Sequence, residues 1–105
     1  MAPGAVLLYE DKRILDGGFI VQGRIWALPR PVPGSRHRFK YSLFFGRPGE
    51  RIVGYDNERP KGDHRHYGER EEPYAFSDME ALLSDFLADV ARELARTEGR
   101  EPHGG

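Results

Sequence analysis

Apolar residues alternate with polar ones along Phe19–Leu28, His37–Phe45 and Arg51–Glu58, but from Met79 to Leu94 they recur every three or four residues. Period two belongs to a strand with one buried face, and a period near 3.6 to a helix with one buried stripe. A chain that changes once from the first pattern to the second lays a single helix against a sheet built by everything before it. The expected fold is α+β: a mainly antiparallel twisted sheet of four to six strands with a C-terminal amphipathic helix packed on one face. At 105 residues a second core would leave each half too small to bury enough apolar surface, so one domain is expected over 1–105. Its core depends on twelve aromatic residues, six Phe, five Tyr and one Trp, each burying a large area.

Breaks between the periodic runs are equally readable. Asp16-Gly17-Gly18 supplies turn chemistry, and Pro29, Pro31, Pro33 and Gly34 end the Phe19–Leu28 strand in a loop. Arg47-Pro48-Gly49-Glu50 is a tight-turn signature joining His37–Phe45 to Arg51–Glu58 as a hairpin. Within that second strand, parity puts Val53, Tyr55 and Asn57 on one side and Ile52, Gly54, Asp56 and Glu58 on the other. Pro60–Pro73 has Tyr67 as its one large aromatic before its end and reads as a loop or irregular edge strand, long enough to suggest function. Ser77-Asp78-Met79-Glu80 fits a capping box with Ser77 as N-cap. The helix that follows turns Met79, Leu82, Leu83, Phe86, Leu87, Val90 and Leu94 inward and Asp78, Glu80, Asp85, Asp89 and Glu93 outward. Residues 1–4 and 98–105 are expected to be flexible.

A net charge of -1 conceals a polarity along the chain. Lys12 to Arg70 holds 13 basic against 6 acidic residues, and Glu71 to Glu101 holds 9 acidic against 3 basic. Such a distribution suits a basic surface for a polyanion, with the acidic helix turned away from it. No apolar run reaches the roughly 20 residues of a membrane span, and Met1–Gly4 lacks the blocks of a signal peptide. The absence of cysteine excludes disulfides and thiolate metal sites, and a cytoplasmic protein with no membrane partner is expected.

The densest run of reactive side chains is Tyr55 to Tyr67. In extended backbone His64 and His66 project to the same side, where one imidazole can act as base and the other as acid. That is the requirement of metal-free RNA cleavage, and His64, His66, Asp56 and Lys61 are the candidate catalytic set. Arg59, Arg65 and Lys61 are placed to hold phosphate, with Lys40 and Arg38 from the basic strand as further RNA contacts. Tyr55 is a candidate for stacking on bases, as are Trp26, Tyr41 and Phe45, although aromatics at strand parity more often form a core. Two other readings stand beside this one. His64 and His66 with Asp56 or Asp63 suit a divalent metal in a metal-dependent nuclease, and the same imidazoles can simply decorate an exposed loop of a binding protein. His37 is expected to pack among aromatics.

Five ordered blocks are more specific than any of these motifs: Pro31 to Tyr41, Gly54 to Arg59, Lys61 to His66, Glu72 to Phe76, and Leu83 to Phe86. Together, over about Ile14 to Val90, they make the chain resemble the TumE-like family of bacterial toxins. The resemblance implies the toxin of a two-gene type II toxin–antitoxin module, with a small helix-turn-helix antitoxin as partner. It carries the active surface onto the Tyr55-Asp56-Asn57 and Gly62-Asp63-His64-Arg65-His66 blocks, with Lys40 beside them. Pro60 departs from the family pattern, which tends to glycine there, and its fixed φ stiffens the approach to Lys61. No cofactor is implied, RNA is the expected target, and a homodimer or the antitoxin is expected to dock near a sheet edge or the basic surface.

Overall fold

The computed structural model describes residues 4–100. Six strands, β1 (Val6–Ile14), β2 (Ile20–Ala27), β3 (Phe39–Arg47), β4 (Glu50–Glu58), β5 (Gly62–Tyr67) and β6 (Arg70–Pro73), precede one helix, α1 (Met79–Arg100). The strands form a single sheet in chain order with every neighbouring pair antiparallel. The α+β class and the helix on one face are as expected, and the strand count is at the upper limit of the range. No helix among the described residues is long and apolar enough to cross a membrane.

Strand parity decides which face is buried. Ile25 of β2, Tyr41, Leu43 and Phe45 of β3, and Val53 and Tyr55 of β4 point to one side, where Leu82, Phe86 and Val90 of α1 cover them. Those three helical residues are four apart and lie on one stripe. Leu87, expected on the stripe, is 51% exposed.

Several expectations are corrected. The segment Pro60–Pro73 forms a regular hairpin, β5 and β6, rather than a loop or irregular edge strand. Gly68 at φ 62° supplies the left-handed residue that a two-residue hairpin turn needs. Its polarity misleads because β5 lies inside the sheet, with both ladders filled, while its inward side chains Asp63, Arg65 and Tyr67 are each hydrogen-bonded. The helix N-cap is Asp78, whose Oδ1 accepts from Ala81 N at 2.7 Å, so the capping signal is shifted by one residue from Ser77. The helix also continues to Arg100, through residues expected to fray; the expected flexibility of 1–3 and 101–105 lies outside the described residues. Finally, β3 begins at Phe39, and His37 stands in the approach to it.

Asp89 belongs to the core and not to an outer acidic face. Its carboxylate is buried and accepts hydrogen bonds from Tyr55 and Tyr67 on the sheet and from Arg92 on its own helix. Tyr74, in the segment leading to the helix, donates to Asp85 at 2.6 Å. The sheet and helix are thus joined by hydroxyl-to-carboxylate bonds set among apolar contacts, which is how buried polar groups avoid their desolvation cost.

Two outcomes follow. Asp89→Ala leaves the buried Tyr55 hydroxyl without an acceptor and is expected to lower unfolding free energy by about 1–3 kcal/mol; Asp78→Ala, losing only a cap, is expected to cost about 1 kcal/mol. Urea denaturation compares them. The Tyr41, Tyr55 and Tyr74 hydroxyls are pushed well above the ordinary tyrosine range, first by burial and then by the carboxylates Asp63, Asp89 and Asp85. A raised phenol value stabilises the fold fully below about pH 10, and that stability is lost as pH rises towards the folded values. Phenolate absorbance from these three is therefore expected only as circular dichroism reports unfolding, and an ordinary titration in the folded chain would contradict the assignment.

Candidate functional site

Strands β4 and β5 pair with Asp56 opposite His64 and Gly54 opposite His66. Directly opposed residues share a face. Since Tyr55 and Val53 point to the helix, His64, His66 and Asp56 stand together on the face that no helix covers. They line a cleft of about 220 Å³ with Arg51, Glu58, Lys61 and Glu71.

Each imidazole is oriented by a different neighbour. Arg51 Nη2 lies 3.1 Å from His66 Nδ1. A guanidinium only donates, so Nδ1 accepts and the ring hydrogen sits on Nε2, 3.4 Å from Asp56 Oδ1. His64 Nδ1 lies 3.0 Å from the Gly62 carbonyl oxygen, which only accepts. A ring hydrogen therefore sits on Nδ1, and Nε2 faces Glu71 Oε1 at 3.6 Å. Nδ1 thus accepts in His66 and donates in His64.

Lys61 Nζ stands 3.4 Å from that same Glu71 oxygen. Desolvation raises the Glu71 carboxyl, but the charge and hydrogen bond of Lys61, then His66 and His64, outweigh it and hold the group below the usual carboxylate range. The cleft sets three carboxylates, Asp56, Glu58 and Glu71, against Arg51 and Lys61, yet at Glu71 the local field favours an anion.

Arg51 reaches this face through two backbone features. Phe45 pairs with Val53 while Gly46 pairs with Arg51, a bulge that adds Ile52 and turns Arg51 outward. Ile52, expected on the open side, packs against the core instead. Gly54 then clears the path: a Cβ there would sit 2.6 Å from Arg51 Cδ.

The remaining sequence candidates are divided. Lys40 is on the open face, its ammonium donating to the Asn57 carbonyl. With Arg59 it borders a separate hollow of about 360 Å³ walled by Leu28, Pro31 and Val32. Arg38 is exposed ahead of β3. Arg65 and Tyr55, by contrast, oppose one another on the helix side. Arg65 is bonded to Glu72 at 2.5 Å, and Tyr55 is 1% exposed, so neither reaches the imidazoles. Tyr41 and Phe45 are likewise core, and of the aromatic candidates only Trp26, opposite Lys40, is on the open face, which Phe44 shares.

Asp63, weighed as a metal ligand with the imidazoles, faces the other way because it opposes Asn57. The donor set is split between two faces, and among the described residues no group of three or more His, Asp or Glu is arranged to hold a metal ion. Asp63 instead accepts from Ser35 Oγ at 2.5 Å, His37 Nε2 at 2.6 Å and the Tyr41 hydroxyl at 2.9 Å. His37 also stacks on Phe76 with centroids 3.8 Å apart, so it does pack among aromatics. Asn57, fully buried, accepts from Tyr41 N and donates to the Phe39 carbonyl, extending the β3–β4 ladder with a side chain. Although Ser, His and Asp meet here, Ser35 bonds the carboxylate and not the imidazole. The group clasps the proline-rich loop to β5.

Sequence reasoning missed Arg51 and Glu71. The Gly68-Glu69 turn was the available signal for Glu71, since it sets β6 beside β5 with Glu71 opposite His66. Nothing local announces the bulge that aims Arg51.

The tautomers are directly measurable. Long-range proton–nitrogen correlation spectra are expected to place hydrogen on Nε2 of His66 and on Nδ1 of His64, and Arg51→Met is expected to remove the His66 preference alone.

The family model described as Toxin TumE matches residues 5–94, nearly the whole chain. No curated protein and no solved structure matches it.

Proposed function

The chain belongs to the TumE toxin family, and from that premise we propose that it is the toxin of a toxin–antitoxin pair and cleaves RNA without a metal ion in the cleft around His64. The observation that carries this reading is that the cleft already holds an anion. The Glu71 carboxylate sits between Lys61 Nζ and His64 Nε2 at 3.4 and 3.6 Å. A phosphodiester oxygen taking that place meets the Lys61 ammonium, with His64 Nε2 beside it.

In this reading the neutral form of His64 takes the proton of the 2′-hydroxyl on Nε2 as the oxygen attacks phosphorus. The bond from phosphorus to the 5′ oxygen breaks, and the Lys61 ammonium supplies the proton to that leaving oxygen. A 2′,3′-cyclic phosphate and a 5′-hydroxyl result. His66 is held by Arg51 with its Nε2–H outward, a fixed donor for a phosphate oxygen once Asp56 releases it. The second imidazole thus orients and stabilises, where H-x-H spacing alone suggested an acid and base pair. Lys40 and Arg59, further along the same face, hold neighbouring phosphates, and the antitoxin partner is a helix-turn-helix protein that covers this face.

Purified chain is to be incubated with RNA in excess chelator. Cutting is expected, with His64→Ala reducing it about 10²- to 10⁴-fold and His66→Ala about 10- to 100-fold, the worth of one hydrogen bond to a charged group. Glu71→Gln, which removes the internal anion, is expected to tighten RNA binding. Intact RNA under these conditions overturns the proposal, and cutting only after metal addition favours a metal-dependent nuclease. Growth arrest that survives loss of both imidazoles but not of Arg38 and Lys40 favours a toxin that binds and blocks.

A further inference from the structure

Four of the five large apolar side chains that stand exposed among the described residues belong to one element. Val6 is 55% exposed, Leu7 41%, Leu8 45% and Ile14 72%, and all are on β1. That strand is an edge of the sheet, pairing only with β2. Its unpaired side offers backbone donors and acceptors in regular order from Tyr9 to Ile14, beyond a bulge between Leu7 and Tyr9, and one of them, Lys12 N–H, rests on the Asp11 carboxylate at 2.9 Å. The opposite edge, β6, has four residues and ends at Pro73, so it is protected in the usual way.

We propose that the free edge of β1 binds the β1 strand of a second copy of this chain, antiparallel, about a two-fold axis through Asp11. The argument rests on the charge order of the strand. Antiparallel pairing within one sheet requires the axis to be perpendicular to it, so opposed residues come from the same face and their numbers have the same parity. The register centred on Asp11 places Glu10 of each copy opposite Lys12 of the other, on the open face. It places Tyr9 opposite Arg13 on the helix face, and brings the bulged Leu8, at the end of the regular run, beside Ile14, the most exposed large apolar residue among those described. Every such contact occurs twice. Glu10 already bonds Arg24 of β2 at 2.6 Å, so the row Arg24, Glu10, Lys12 runs across the junction with alternating sign. The two Asp11 carboxylates meet at the axis, each already bonded by its own Arg13 at 3.0 Å. The register centred on Glu10 instead opposes two glutamates and sets Leu8 against Lys12; the one centred on Lys12 opposes two lysines and sets Glu10 against Ile14. Because the axis is perpendicular to the sheet, both helices lie on one side of the joined sheet and both clefts on the other.

This assembly does not depend on the chemistry at His64, and its test is a charge exchange on the full chain. By light scattering, wild type is expected at twice the chain mass. Glu10→Lys sets lysine against lysine and Lys12→Glu sets glutamate against glutamate, so each variant alone is expected to associate at least about tenfold more weakly. An equimolar mixture of the two restores opposite charges at both positions and is expected to recover the double mass. The recovery also shows that the single variants are folded. A monomeric wild type overturns the proposal, whatever other partner the edge takes. Single variants that stay dimeric, or a mixture that does not pair, overturn the edge or its register.

Discussion

One helix about 10 Å across cannot cover a sheet of six strands, which at roughly 4.8 Å per strand is about 24 Å wide. That mismatch governs the molecule. The helix lies where its apolar stripe meets the most aromatic strands, on β3 and β4, with Tyr67 of β5 drawn in by Asp89. The whole opposite face is left to solvent, and β1 keeps an edge strand's unpaired backbone. Both the open face with its cleft and the free edge of β1 follow from the shortage of helix.

A thin core asks polar groups to help define the packing. The described residues contain no buried side-chain nitrogen or oxygen without a partner. Three carboxylates collect the tyrosine hydroxyls: Asp63 takes Tyr41, Asp85 takes Tyr74, and Asp89 takes Tyr55 and Tyr67. Apolar stripes allow small shifts in register, but a hydroxyl buried against one carboxylate oxygen does not, because its loss leaves two groups desolvated. These bonds set where the helix lies along the sheet. The Asp63 clasp does the same for the loop carrying Ser35 and His37, and it does so from the side of β5 opposite to the imidazoles.

Alternation along β5 therefore serves two unrelated ends. Asp63, Arg65 and Tyr67 fasten the interior, while His64 and His66 between them form the cleft. A polar strand with paired side chains on its buried face has no hydrophobic signature, which is why this stretch reads as a loop. The same interleaving explains why the densest run of reactive residues divides into two halves with different tasks. Asp56, Lys61, His64 and His66 gather at the cleft, while Tyr55 and Arg65 belong to the interior.

The order of hydrophobic periods and the turn residues were enough, by themselves, to determine the α+β class, the hairpin at Pro48-Gly49, and the helix with its Leu82, Phe86 and Val90 stripe, and the H-x-H spacing gave His64 and His66 one face once the backbone is extended. These are local consequences of side-chain direction along a strand or helix, and they need no knowledge of partners. Tertiary structure alone decided that Asp89 and Asp63 are buried acceptors, that a bulge aims Arg51 at His66, and that Glu71 closes the cleft. A carboxylate written in sequence carries no mark of whether it will face water or a tyrosine, because that depends on which distant strand arrives beside it. The role of Nδ1 in each imidazole was settled in the same way, by a guanidinium fifteen residues from one ring and a carbonyl two residues from the other.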